Sequence, residues 1–379
     1  KTFSDRLMDL GYTVARTDKS FEIVGVPKAV IDMFSKRTDE IGQYAKEKGI
    51  TNAKALDGLG ARTRSAKQKG LSMAELKANW KTQIKNLKEI SSEEKHKAIR
   101  YAKRPFQLKI SVQKCVDYAL KHCFERVSVV TPKRLQEVAI RHAIGDSKTL
   151  SKDIAKHLMA DKRIIYAEEH NEMKCTTKEV LTEEKEMVDL ARQGRGQIKP
   201  LYSEKPEMKL EGEQSKALML VLKTPHRLSI IRGAAGAGKT TLMKEASRLI
   251  EAKKKLTVVA PSGDASRGTL KKEGFENATT VAMLLDNEKM QKDLRNGVLW
   301  VDEAGLLGTK DALELIKLAT KHDAQLVFSG DTRQHSSVKR GDALRILNKY
   351  AKVTTSEVTK IYRQKTENYK TAVQNLADG

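Results

Sequence analysis

Residues 228–242 constrain the chain more than any other stretch: Leu228-Ser-Ile-Ile-Arg-Gly233-Ala-Ala-Gly236-Ala-Gly238-Lys239-Thr240-Thr241-Leu242. An apolar run leads into a turn of small residues, and a helix-forming run follows. The spacing is G-x-x-x-x-G-K-[ST], the Walker A pattern. Small residues let the backbone curl so that successive N–H groups of Gly233, Ala234, Ala235, Gly236, Ala237 and Gly238 face phosphate oxygens. A helix starting near Lys239 adds its positive N-terminal end. Lys239 supplies a point charge for the β- and γ-phosphates, and the Thr240 hydroxyl, followed by Thr241, is placed to ligate Mg²⁺. The expected ligand is therefore a nucleoside triphosphate such as ATP.

A strand, a phosphate loop and a helix require a parallel α/β sheet, and the following residues supply one. Residues 209–379 alternate strand and helix. Strand candidates are Leu228–Arg232, Leu256–Pro261, Gly297–Asp302 and Gln325–Ser329, whose continuous apolar character fits a sheet covered on both faces. Leu299-Trp-Val-Asp302-Glu303 ends one of them in paired carboxylates. Asp302 fits a metal-holding role. Glu303 is placed to take a proton from an attacking water. Capping of the next helix by acidic residues is the plain alternative, and it loses to the Walker A sequence upstream.

Three further sites complete the set. Gly330-Asp331-Thr-Arg-Gln334 follows a strand, and the Gln334 amide suits sensing of the γ-phosphate. Pro261, Ser262, Ser266 and Arg267 follow another strand. Their hydroxyls, N–H groups and charge suit the phosphates of single-stranded nucleic acid. Gln214 lies about twenty residues before the phosphate loop, where an amide can read an adenine edge.

The 379 residues carry 72 Lys and Arg against 49 Asp and Glu, a formal charge of +23. A balance this basic favours a polyanionic partner, nucleic acid ahead of a membrane surface. Residues 51–110 concentrate it, with fifteen basic and five acidic side chains. They read as a flexible arm over 57–70, then a basic helix with Leu76, Trp80, Ile84 and Leu87 along one face. Such a helix tracks DNA or is simply solvated. Cys115, Cys123 and Cys175 are scattered without metal-ligand spacing and fit reduced packing residues of a cytoplasmic protein. No run is long and apolar enough to span a membrane, and no signal peptide is visible.

Ahead of the sheet, Phe21–Val26 reads as a strand, with Pro27 opening a helix on which Val30, Ile31, Phe34 and Ile41 form one buried face. Thr131-Pro132 starts another helix, and a shorter one follows Thr149. Arg163–Tyr166 and Met173–Thr176, joined by a polar turn over Glu168–Glu172, read as a hairpin. Helices followed by a hairpin suggest a winged-helix-like module. The domains expected are 1–50, a basic helical linker over 51–106, the winged-helix-like module over 107–198, and a phosphate-loop domain over 199–379.

GAAGAGKTT, VVAPSGDASRGTL, LWVDEA and FSGDTRQ, in this order, resemble motifs I, Ia, II and III of a superfamily 1 helicase of the RecD-like branch. LEGEQSKAL resembles that group's Q-motif. Ala278–Leu285, with Thr279 and Thr280, sits where the family has a further DNA-contacting segment. Ile361-Tyr-Arg363-Gln364 resembles motif IV, whose arginine reaches the γ-phosphate. Phe21–Pro27 with Phe34–Arg37, and Phe124–Ser128 with Cys175-Thr-Thr, resemble the relaxase edge and the segment before the motor in TraI/TrwC-type (MobF) conjugative relaxase–helicases. The resemblance implies a RecA-like motor domain 1A in 199–379 and the C-terminal edge of a relaxase domain in 1–50. It implies an ATP-dependent, Mg²⁺-requiring 5′→3′ helicase acting on single-stranded DNA in conjugation, with relaxosome and type IV secretion coupling proteins as further partners. Lys239, Asp302, Glu303, Gln334 and Arg363 are the catalytic candidates. The chain opens at Lys1 without Met and reads as a piece of something longer. The relaxase nucleophile is expected upstream, and a second motor domain downstream of Gly379. Two other functions compete: a stand-alone RecD-like repair helicase, and a non-motor platform that binds single-stranded DNA. The intact Walker residues oppose the platform, and the relaxase-edge residues oppose the repair helicase.

Overall fold

The computed structural model describes residues 1–17, 20–35, 43–48, 72–99, 110–146, 149–233, 238–331 and 339–359. The chain divides into two compact units, Lys1–Tyr118 with Gln136–Leu158, and Ala119–Leu135 with Met159–Gly379.

In the first unit, helix Thr2–Asp9 precedes an antiparallel pair, β1 (Val14–Arg16) and β2 (Phe21–Ile23). Helix Lys28–Phe34 begins directly after Pro27. Val30 is buried but Phe34 is 47% exposed, so the apolar face expected there is shorter; Ile41 lies outside the described residues. Helix Met73–Asn86 is opened by a capping box in which Ser72 and Glu75 satisfy each other's backbone N–H groups. Of its expected apolar face, Ile84 is buried while Trp80 is exposed. That is the signature of a helix with a narrow contact stripe.

Three helices follow, Val112–Cys123, Pro132–His142 and Ser151–Ala160. The Thr131 hydroxyl accepts from the Arg134 N–H, as a helix cap should. Then β3 (Ile164–Glu169) pairs antiparallel with β4 (Glu172–Thr177). The expected module is divided between the two units, with Gln136–Leu158 in the first and the hairpin in the second. The hairpin is longer than its sequence indicates. Only His170 and Asn171 form the turn, at φ 51° and 60°. Positive φ at both central residues is what a two-residue turn needs to match the strand twist, so Glu168, Glu169 and Glu172 join the strands.

The second unit is built on a six-stranded sheet, β5 (Leu228–Gly233), β6 (Leu256–Ala260), β7 (Thr279–Thr280), β8 (Val298–Val301), β9 (Gln325–Gly330) and β10 (Thr355–Val358). The order is β10-β5-β9-β8-β6-β7, and every pairing is parallel. Buried side chains alternate between its faces. Ile230, Leu299, Val301, Leu326 and Phe328 meet one set of helices, among them Thr309–Lys321 and Lys178–Gln193. Ile231, Val298, Trp300 and Val327 meet Gly212–Lys223 and Lys239–Glu251 on the other. A sheet covered on both faces explains why its strands read as unbroken apolar runs. Helix Lys178–Gln193 sends Met187, Val188 and Ala191 into this core, although it precedes residue 199.

Candidate phosphate-binding site

A parallel sheet gathers its loops at the carboxyl ends of its strands, where ligands bind. The segments that follow β5, β6, β8 and β9 leave the sheet at that edge. β9 lies between β5 and β8. With strands about 4.8 Å apart, the phosphate loop and the Asp302–Glu303 pair stand ~10 Å apart across the edge, a gap on the scale of a phosphate with a cation.

Gly233 ends β5 and Gly238 precedes helix Lys239–Glu251. Gly238 takes φ 74°, ψ 29°, the left-handed region that a side chain resists. This bend sets the helix N-terminus toward the loop. Ala234, Ala235, Gly236 and Ala237 lie outside the described residues. Lys239 folds back across the loop mouth, its ammonium donating to the Gly233 carbonyl at 2.8 Å. A Cβ at Gly233 would lie 3.2 Å from the lysine stem, so the lysine passes close over the strand end. Thr240 is half-buried in the first turn and Thr241 is exposed.

Gln214 is buried, and its side-chain amide donates to the Gly238 carbonyl at 3.2 Å. The helix carrying it thus buttresses the phosphate loop directly, which the adenine-reading expectation did not include. Its neighbour Glu213 accepts from both the N–H and the hydroxyl of Thr359, at 2.6 and 2.9 Å.

Across the edge, the Asp302 N–H is held by the Val259 carbonyl at 2.8 Å. One Asp302 oxygen accepts from the buried Ser329 hydroxyl at 2.9 Å. Glu303 sits at φ 52°, a left-handed conformation that few non-glycine residues adopt. Burial pushes its carboxyl above the ordinary carboxylate range, and the neighbouring Asp302 charge adds to this. The Lys239 ammonium pulls the other way. A carboxylate raised in this way is a better proton acceptor than a solvated one.

Gly330 and Gly305 press these two strand ends together. A Cβ at Gly330 would sit 2.7 Å from the Gly305 nitrogen, and one at Gly305 would strike the Asp331 carbonyl. The turn carrying Glu303 is thereby fixed against the residue that opens the Gln334 segment. Gln334 itself and Arg363 lie outside the described residues.

The nucleic-acid candidates divide. Arg267 is exposed, and its guanidinium lies 3.1 Å from where a Gly263 Cβ would be. Ser262 is exposed and accepts from the Ala265 N–H at 3.1 Å. Pro261 is partly exposed beside it. Thr279 and Thr280 are partly exposed on β7, and the Thr280 hydroxyl accepts from the Met283 N–H as a helix cap. Ser266 is a correction. Residues Asp264–Leu270 form a π-helix, whose wider turn carries Ser266 into the core. There it is fully buried and donates to the Gly263 carbonyl at 3.3 Å, so its hydroxyl is not offered to a phosphate.

The site's oxygen donors are a hydroxyl at a helix N-terminus and a carboxylate with one oxygen already bonded. These hard ligands fit Mg²⁺ held jointly with phosphate oxygens. Among the described residues no group of three or more His, Cys, Asp or Glu is arranged to hold a metal. The described residues also contain no helix long and apolar enough to cross a membrane.

The chain resembles known proteins in two stretches. Residues 1–87 match the TrwC relaxase family and residues 209–379 match an AAA domain family. It is 31% identical over 169 residues to the conjugal transfer protein TraA of Agrobacterium fabrum, covering 44% of this chain and 15% of that protein. It is 26% identical over 196 residues to the multifunctional conjugation protein TraI of Escherichia coli, covering 48% of this chain and 11% of that protein. The chain thus spans a small fraction of the curated relatives it matches. Among solved structures it aligns with the UvsW helicase of bacteriophage T4 at 12% identity and a TM-score of 0.30, over 42% of this chain and 64% of that one. A relaxase match thus lies ahead of an AAA-domain match, and the relatives named are conjugal transfer proteins.

Proposed function

We propose that this chain is the ATP-driven DNA motor segment of a conjugative transfer protein of the TraI/TrwC relaxase–helicase type. The observation that carries the reading is geometric: the Lys239 ammonium closes over the end of β5 at the Gly233 carbonyl, and the Asp302–Glu303 pair follows β8 at the same carboxyl edge of the sheet. In this reading Lys239, the loop N–H groups and the start of helix Lys239–Glu251 neutralise the triphosphate. Gln214 holds the loop and meets the adenine. Thr240 and Asp302 would hold Mg²⁺, which supplies charge neutralisation at the transferred phosphoryl group. Glu303 takes a proton from the attacking water onto its carboxylate. Gln334 and Arg363 are assigned to the γ-phosphate.

Pro261, Ser262, Arg267, Thr279 and Thr280 are assigned to a single DNA strand along the same sheet edge. Translocation is proposed to run 5′→3′ in the cytoplasm, together with relaxosome and secretion-coupling partners. The segments are read as a relaxase edge (1–50), a linker (51–106), the winged-helix-like module (107–198) and motor domain 1A (199–379). The match of residues 1–87 to a relaxase favours this over a stand-alone repair helicase. The test is single-turnover ATP hydrolysis by the complete protein with and without single-stranded DNA. Hydrolysis stimulated by DNA supports the motor. Nucleotide binding without any hydrolysis would leave only a binding platform.

A further inference from the structure

Ser329 is a polar residue in the otherwise apolar interior of β9, and its hydroxyl has three neighbours. The Trp300 indole nitrogen is 2.8 Å away, an Asp302 carboxylate oxygen 2.9 Å and the Val301 carbonyl 3.3 Å. β8 and β9 pair in register with Val301 opposite Phe328. The next step therefore brings Asp302 beside Ser329, and the alternation of a strand puts Trp300 and Asp302 on one face. Both Ser329 and Trp300 are buried, so water does not compete for these bonds.

The direction of each bond follows from chemistry. An indole N–H only donates, so the Ser329 oxygen must accept from Trp300. The single serine proton is then left for one acceptor. The carboxylate is nearer than the Val301 carbonyl and is charged, and charge-assisted bonds are the stronger ones. The chain runs one way, from indole to hydroxyl to carboxylate.

We infer that Ser329, held by Trp300, is a positioning residue that fixes which oxygen of Asp302 is turned to the bound cation. One carboxylate oxygen is occupied by the serine proton, and the other is left for the metal. The relay rests on the reading of this edge as a Mg²⁺–nucleotide site. Partners of this kind orient metal ligands, and losing one typically weakens metal affinity by about 10–100-fold.

The test uses Mn²⁺ as a paramagnetic stand-in, titrated into the complete protein with ADP and followed by electron paramagnetic resonance. Ser329→Ala is expected to weaken Mn²⁺ binding by about 10–100-fold, while metal-free ADP binds as before. Ser329→Thr, which keeps the hydroxyl, should stay near wild type. Trp300→Phe keeps the ring and removes the donor. It should give a smaller, several-fold loss, and it serves as the test if Ser329→Ala does not fold. Unchanged Mn²⁺ affinity in folded Ser329→Ala, or in Trp300→Phe where the former does not fold, overturns the relay alone. A wild-type protein that binds no Mn²⁺ with ADP overturns the nucleotide-site reading, and the relay with it.

Discussion

The Lys239 ammonium donates to the Gly233 carbonyl at 2.8 Å, bridging the two ends of the phosphate loop. In the proposed complex that ammonium turns to phosphate oxygens. A hydrogen bond between charged groups contributes about 1.5–3 kcal/mol. Lys239→Ala is therefore expected to weaken nucleotide binding about 10–100-fold. Equilibrium binding of a fluorescent ATP analogue checks this, with circular dichroism to show that the sheet is intact.

Glu303→Gln should separate binding from chemistry. The amide keeps the shape and loses the basicity, so nucleotide still binds while single-turnover hydrolysis falls about 10²–10⁴-fold. Unaltered hydrolysis would shift the assignment to Asp331.

The same carboxyl makes a stability prediction. Burial and Asp302 raise its proton affinity in the folded protein. The protonated form is thus the one folding favours. Its contribution is fully present below the unfolded carboxylate's range and is lost as pH rises through the higher folded value. At neutral pH the ionised Glu303 opposes folding. Glu303→Gln should melt at a higher temperature than wild type at pH 7.5, and the difference should vanish toward pH 4. A melting difference independent of pH would contradict the assigned cause.

Arg340 ties the segment after Gln334 to the helical module. Its guanidinium pairs with Glu183 and donates to the Phe124 carbonyl at 2.8 Å, with both charged side chains mostly buried. Arg340→Ala leaves a carboxylate and a carbonyl without this partner and should cost about 1.5–3 kcal/mol. Arg340→Lys cannot bridge both with a planar fork and should recover only part of it. Thermal melts of the three proteins check the order.

Much of this was legible in the sequence because the determining signals are local. The central strands β5, β6, β8 and β9 are contiguous apolar runs, and the Asp302–Glu303 pair directly follows β8. Strand ends differ from the reading by about a residue, within the ordinary ambiguity of such boundaries. β10 escaped because Thr355–Val358 is a short edge strand, half-exposed and without an apolar run. β7 is two residues long and owes its existence to β6 beside it. Ser266 was misread because exposure depends on the π-helical turn, which its composition does not signal. Ser329 was within reach, since a lone hydroxyl in a buried apolar strand calls for a hydrogen-bond partner. Its partner Trp300 lies 29 positions away and only the pairing of β8 with β9 identifies it.

Association with DNA should be governed by charge. With +23 formal charges and 5% aromatic residues, phosphate contacts outweigh base stacking. Affinity for a single strand should fall steeply between low and moderate salt. Arg267→Ala should lower the magnitude of the log–log salt slope by about 0.7. Fluorescence anisotropy at several salt concentrations measures both, and a flat salt dependence would contradict the phosphate-contact reading.

The most direct measurement is single-turnover ATP hydrolysis by the complete protein at saturating single-stranded DNA, for wild type and Glu303→Gln, with bound nucleotide quantified in the same samples. The expected result is DNA-stimulated hydrolysis in the wild type and a loss of at least about a hundredfold in the variant, with equal nucleotide bound. A wild type that binds ATP and never cleaves it, or whose hydrolysis single-stranded DNA leaves unchanged, would contradict a motor built on this edge of the sheet.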